Sequence, residues 1–161
     1  MSAVRWGQAI DNAALAVEIE GFCTLLALLA AEQDALRTAD ADALARIVPQ
    51  KLTQVHALRS MSVARTALLR SAGLAATAAG MRTLLARSPE PERAGEQWQT
   101  LTRLAVEAQR VNALNIRLAH TQERHVDQAM ATLSHAAGRD VTYGADGRSQ
   151  HHAPSRSLAA I

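Results

Sequence analysis

Aromatic residues are nearly absent from this chain: two tryptophans, one tyrosine and one phenylalanine among 161 residues. With few aromatic or β-branched runs there is little to build a sheet from, and no row of rings on which nucleic-acid bases could stack. Cysteine occurs once, at Cys23, so no internal disulfide can form and the fold cannot depend on an oxidising compartment. Lying in an apolar helical stretch, Cys23 is expected to pack as a small hydrophobe. Long hydrophobic runs are missing too. The longest, Phe22 to Ala31, is too short to span a bilayer. Asp11, Glu18 and Glu20 interrupt any signal-peptide core after Arg5. Together these absences point to the cytoplasm. Seventeen basic and fifteen acidic residues leave a formal charge of +2. No window holds five or six like charges, as a nucleic-acid-binding arm would.

What the chain does have is helix. Hydrophobic residues make up 48% of it, chiefly alanine and leucine, the strongest helix formers. A core of small side chains buries less area per residue, so the helices must pack closely. The fold class is all-α: an antiparallel bundle of three long helices, with a short extra helix in the second crossover and a flexible C-terminal tail. The bundle domain covers 1–137 and a turn-rich, largely disordered tail covers 138–161.

The first helix is predicted over Trp6 to Arg37. Leu15, Ile19, Phe22, Leu26, Leu29, Gln33 and Leu36 recur at steps of four and three, as in a coiled-coil seam. Thr38 or Asp40 caps the second helix, Ala41 to Leu69, whose buried side is read as Leu44, Val48, Leu52, Val55 and Leu58. Pro49 removes a backbone donor inside that pattern, so a kink or break is expected there. Leu74 to Ala86 is a weak helical piece, and Ser88-Pro89-Glu90-Pro91 is a break. The third long helix runs from Glu96 to Ala137. Its heptads pass through Leu101, Leu104, Ala108, Val111, Asn115, Leu118 and Gln122, then less cleanly through Val126, Ala129 and Leu133. Asn115 and Gln122 are amides in seam positions, and a buried amide needs a partner. They read either as polar layers that fix register or as contacts to a partner helix. Beyond Gly138, Asp146-Gly147 is a strong turn dipeptide that favours a hairpin, although Val141-Thr142-Tyr143 is a very short strand.

Catalytic and metal-binding patterns are not found. His120 and His125 are five residues apart, which turns them to different helix faces. No phosphate-binding glycine loop occurs, and Cys23 has no histidine on its own helix face to activate it. No enzyme activity and no cofactor are expected. Apolar stripes wider than a three-helix body needs internally leave either a broader core or a groove for a further amphipathic helix. Arg103, Arg110, Arg117 and Arg124, spaced by seven, form a slowly drifting stripe that reads as a solvated face or as a weak nucleic-acid contact.

The order Leu25-Leu26, Glu32, Leu36, Asp40, Leu44, Lys51, Leu58, then Trp98, Leu101, Asn112-x-x-Asn115 and Thr142-Tyr143-Gly144-x-x-Gly147-Arg148 resembles the FlgN flagellar export chaperones. The Tyr-Gly-x-x-Gly-Arg ending after paired asparagines is the more specific part. Many members follow the second asparagine with glycine, where this chain has Ile116. The resemblance implies a cytoplasmic chaperone of flagellar type III export. Its clients would be the hook–filament junction proteins FlgK and FlgL, held through their C-terminal helices, and the loaded complex would dock at the export gate protein FlhA. Carried over by position, the partner surface is Val111, Asn112, Leu114, Asn115, Leu118, Gln122, Val126, Met130 and Leu133 on the third long helix, with Tyr143 in the tail. No nucleic acid and no membrane insertion are implied. Tyr143 reads as a docking anchor, which adds apolar area and a hydrogen bond at low entropic cost, or as a pin holding the tail. The readings from other classes are a helical adaptor or self-associating coiled coil without an export role, and a weak nucleic-acid binder.

Overall fold

Asp11 starts the first helix. Its side chain accepts a hydrogen bond from the Ala13 amide at 2.8 Å, and α1 then runs Asn12–Thr38. In the computed structural model, which describes residues 10–136, 141–143 and 149–151, the expected start at Trp6 falls among the residues not described. Ala39 adopts a left-handed conformation (φ 53°) and returns its amide to the last turn of α1. Asp40 then caps α2 through the Ala43 amide at 2.8 Å, so of the two candidate caps Asp40 is the one used. Asp42 follows in the first turn of α2, where the helix dipole favours a negative charge. α2 is continuous over Ala41–Ser71 and contains Pro49 within it, so the proline does not break the helix.

α3 covers Ala78–Ala86, capped by Thr77. Despite its weak sequence pattern it contributes Met81, Leu84 and Leu85 to one core cluster with Ile10, Leu15, Leu68, Leu69 and Leu101. α4 covers Pro91–Ala136, which opens five residues earlier than predicted. Proline is suited to a first helical position because its missing N–H has no partner there anyway. Beyond α4, β1 (Val141–Tyr143) pairs antiparallel with β2 (Ser149–His151), matching Val141 to His151 and Tyr143 to Ser149. A hairpin thus lies in the segment that the sequence presents as turns and tail; the residues around Asp146-Gly147 are outside those described.

The chain divides into two compact units, Met1–Leu118 and Ala119–Ile161. In the first, α1, α2, α3 and the first part of α4 enclose the core, and a second cluster of Leu25, Leu29, Leu58 and Ala108 joins all three long helices. The all-α bundle expected from composition is present. Cys23 departs from expectation: it is exposed, on the outer side of α1. By length and composition α1 is apolar enough to cross a membrane, which counting consecutive apolar residues did not reveal. In this fold it buries Glu18 and Glu32 against cations of α2.

Glycine is required where α3 meets the preceding loop. A Cβ on Gly80 would lie 2.0 Å from the Ala75 carbonyl oxygen, a backbone atom that cannot yield without moving the loop. Gly80→Ala is therefore expected to lower stability by about 1–3 kcal/mol. Gly95→Ala, where nothing lies within 4 Å, is expected to raise it by about 0.5–1 kcal/mol through helix propensity. Denaturant melts of the two variants should move in opposite directions.

Candidate partner-binding surfaces

The face by which α1 meets α2 keeps Leu15, Leu29 and Leu36 of the stripe read from the sequence but is turned away from its other members. Buried along α1 are Leu15, Glu18, Gly21, Leu25, Leu29, Glu32 and Leu36, while Ile19, Phe22, Leu26 and Gln33 are half-buried. The seam therefore includes two carboxylates and a glycine. Glu18 pairs with Arg65 and Glu32 with Lys51. Leu25 and Leu58, midway between them, share the second core cluster. These pairs recur every seven residues in one antiparallel register. Gln54 donates to the Gly21 carbonyl at 2.8 Å, and a Cβ on Gly21 would press on the ends of the Leu58 and Gln54 side chains at 2.9 and 3.0 Å. Sliding α2 by one heptad would oppose Glu18 to Leu58 and Leu25 to a cation, so the polar layers set the register.

α4 engages both layers. The Arg65 guanidinium lies over the Trp98 ring, 5.0 Å from its centroid. Asn115 donates to the Leu29 carbonyl at 2.8 Å and to Glu32 at 2.9 Å. At 2% exposure Asn115 is not a partner contact but the third member of the Glu32–Lys51 layer, the register-fixing alternative of the two read from the sequence. Val111 is half-buried against the second core cluster. Asn112 lines an apolar hollow with Phe22, Leu25 and Val55. Leu118 and Gln122 are half-buried, and Leu114 is at the edge of exposure at 36%.

The remaining residues named on this helix form a different surface. Val126, Met130 and Leu133 are 60%, 60% and 64% exposed and recur at steps of four and three, a single apolar stripe in the second unit. Tyr143 ends β1 opposite Ser149; its side chain lies outside the described atoms. The predicted site thus separates into residues that hold the bundle and residues that face solvent.

Sequence reasoning missed the working part of α2. Of the five residues read as its buried side, Leu58 is buried and Leu44 half-buried, while Val48, Leu52 and Val55 are 36%, 52% and 42% exposed. Lys51, Gln54 and Arg65 face α1 in their place. The signal available was Lys51, Leu58 and Arg65 at heptad spacing, matching Glu32, Leu25 and Glu18 in reverse order on the first helix.

Among the described residues no group of three or more histidine, cysteine, aspartate or glutamate side chains is placed to hold a metal. The arginine stripe of α4 is broken up. Arg110 forks onto Glu107 at 2.9 and 2.6 Å, and Arg117 is engaged elsewhere. These hydrogen bonds hold the Glu107 carboxyl below its ordinary range. The small stabilisation this gives is present at neutral pH and is lost as pH falls through the depressed value.

The sequence model of the FlgN family, described as FlgN protein, matches residues 12–151. No curated protein matches the chain. Among solved structures, the 1.48 Å crystal structure of a flagella synthesis protein FlgN from Pseudomonas aeruginosa superimposes with a TM-score of 0.62. The two are 24% identical, and the match covers 66% of this chain and 83% of that one, a likeness of fold.

Proposed function

The chain belongs to the FlgN family, and from that membership we propose that it is a flagellar export chaperone for the junction proteins FlgK and FlgL. It binds their C-terminal amphipathic helices in the cytoplasm, keeps them from assembling before export, and delivers them to the gate protein FlhA. The observation that carries this reading is the exposed stripe of Val126, Met130 and Leu133. Three large apolar side chains at helical spacing form the kind of face onto which an amphipathic helix packs. Covering a client's adhesive helix with such a face hides it from other client molecules. Tyr143, in the short hairpin, serves as an anchor for docking. Release needs neither nucleotide nor metal, only competition at the gate.

The test is calorimetric titration of the full chain with C-terminal helical peptides of FlgK and FlgL. One-to-one binding, little changed by salt, is expected. The double variant Met130→Glu, Leu133→Glu should weaken it by at least about tenfold, since apolar anchors dominate such contacts. Both positions are exposed, so the circular dichroism spectrum should be unaltered. Absence of heat with either peptide, or binding indifferent to the double variant, would overturn the assignment of client or site. Self-association lost in the double variant would instead identify an adaptor.

A further inference from the structure

Between α2 and α4, over α1, the first unit leaves an apolar groove. Two neighbouring hollows of about 550 and 210 Å³ share Phe22, Leu25, Val55 and Ala105. Phe22, Leu25 and Leu29 of α1 form the floor. Val55 stands on one wall and Val106, 66% exposed, on the other. Small side chains, Ser62 and Ala105, line the sides and leave room for close approach of another backbone. The groove runs from Trp98 to Asn112 on α4 and from Lys51 to Arg65 on α2. At about 1.5 Å per residue, each wall is roughly four helical turns long. Val48 and Leu52, also exposed, continue the α2 wall at helical spacing with Val55.

Charge restricts what fits there. From Ala43 to Pro89 the sequence contains no aspartate or glutamate, while α2 alone carries Arg46, Lys51, Arg59, Arg65 and Arg70. Lys51 and Arg65 are neutralised from the floor by Glu32 and Glu18. Arg59, which lines the groove, pairs with no carboxylate among the described residues. The α4 residues that line the groove carry no charge. The α2 rim is therefore cationic, the α4 rim uncharged and the centre apolar.

We propose that this groove is a docking site for an amphipathic helix of about four turns whose apolar stripe is flanked by carboxylates, and which completes a four-helix bundle. The groove lies wholly in the first unit and is a surface separate from Val126, Met130 and Leu133. The inference does not use the client reading and stands or falls apart from it. A second copy presenting its own α2 would set arginines against arginines, so a different acidic partner is the better occupant.

The test uses three labelled peptides of about 15 residues, the length four turns require. One has leucines at steps of four and three flanked by glutamates, one has lysines replacing the glutamates, and one has the glutamate composition scrambled. Anisotropy titrations with the full chain should show the glutamate peptide binding at least about tenfold more tightly than the other two. Val55→Glu and, independently, the more exposed Val106→Glu should each weaken it about tenfold. Arg59→Glu should shift preference towards the lysine peptide. Val63→Glu, at a residue 62% exposed that does not line the groove, should change nothing. Equal binding of the lysine or scrambled peptide, no binding at all, or indifference to both valine variants would overturn the proposal. So would self-association of the chain that Val55→Glu abolishes, since the occupant would then be a second copy.

Discussion

Replacing Arg65 by methionine should cost about 3–5 kcal/mol of folding stability, the range found when one partner of a buried ion pair is removed. Glu18 is 1% exposed, and the Arg65 guanidinium donates to both of its oxygens. The same guanidinium is half-buried on the face of Trp98, so the arginine links α1, α2 and α4 at one point. Without it the carboxylate has neither water nor a counter-charge, while methionine keeps most of the apolar volume. For a chain of this length, roughly 2–4 °C is lost per kcal/mol, so the melting temperature should fall by roughly 10 °C. The double variant Glu18→Leu, Arg65→Met should recover most of that loss, because replacing both partners with apolar groups removes the unpaired charge. A melt of Arg65→Met no lower than that of the exposed control Arg59→Met would show that the pair contributes no stability.

The same pair explains which parts of the fold were legible. Helix class and the turn at residues 38–40 follow from local chemistry: alanine and leucine propensity and an aspartate cap, neither of which depends on distant residues. The face by which two helices meet depends on the partner. Hydrophobic periodicity alone favours Ile19, Leu26 and Gln33 on α1 and Val48, Leu52 and Val55 on α2. The protein turns each helix so that Glu18 meets Arg65 and Glu32 meets Lys51, and the displaced apolar residues of α2 become a groove wall. A charge matched across 47 positions in the sequence is invisible to a scale that scores each residue singly. Asn112 and Asn115 illustrate the same limit. The heptad register singles out Asn115 and the family resemblance adds Asn112, yet only the packed bundle shows that Asn115 turns inwards to Leu29 and Glu32 while Asn112 lines a hollow. Val126 and Leu133 continue the heptad seam in the sequence, yet with Met130 they are exposed, because periodicity marks an apolar face without saying whether a helix of the same chain covers it.

Asn115→Asp should be the other severely destabilising single substitution, and the two carboxylates it brings together make its pH dependence diagnostic. The amide nitrogen of Asn115 lies 2.9 Å from Glu32, whose other oxygen is engaged by Lys51, and the site is closed to solvent. A second carboxylate there replaces a donor by an acceptor and opposes like charges, and Lys51 alone cannot neutralise both. The expected cost at neutral pH is about 3–5 kcal/mol, comparable to an uncompensated buried charge. One proton shared between the two carboxyls restores a donor, and the folded variant then holds that proton more tightly than the unfolded chain does. A group whose proton is bound more tightly in the fold contributes stability at low pH and loses it as pH rises. The deficit relative to the parent chain should therefore shrink as pH is lowered towards about 4, the carboxylate range of unfolded chains. Asn115→Leu, which removes the donor without adding charge, should cost less at neutral pH and show no such recovery. Urea melts of the three proteins at several pH values separate these outcomes. A pH-independent deficit for Asn115→Asp, equal to that of Asn115→Leu, would mean that the aspartate escapes to solvent and that the Glu32 layer does not close around this position.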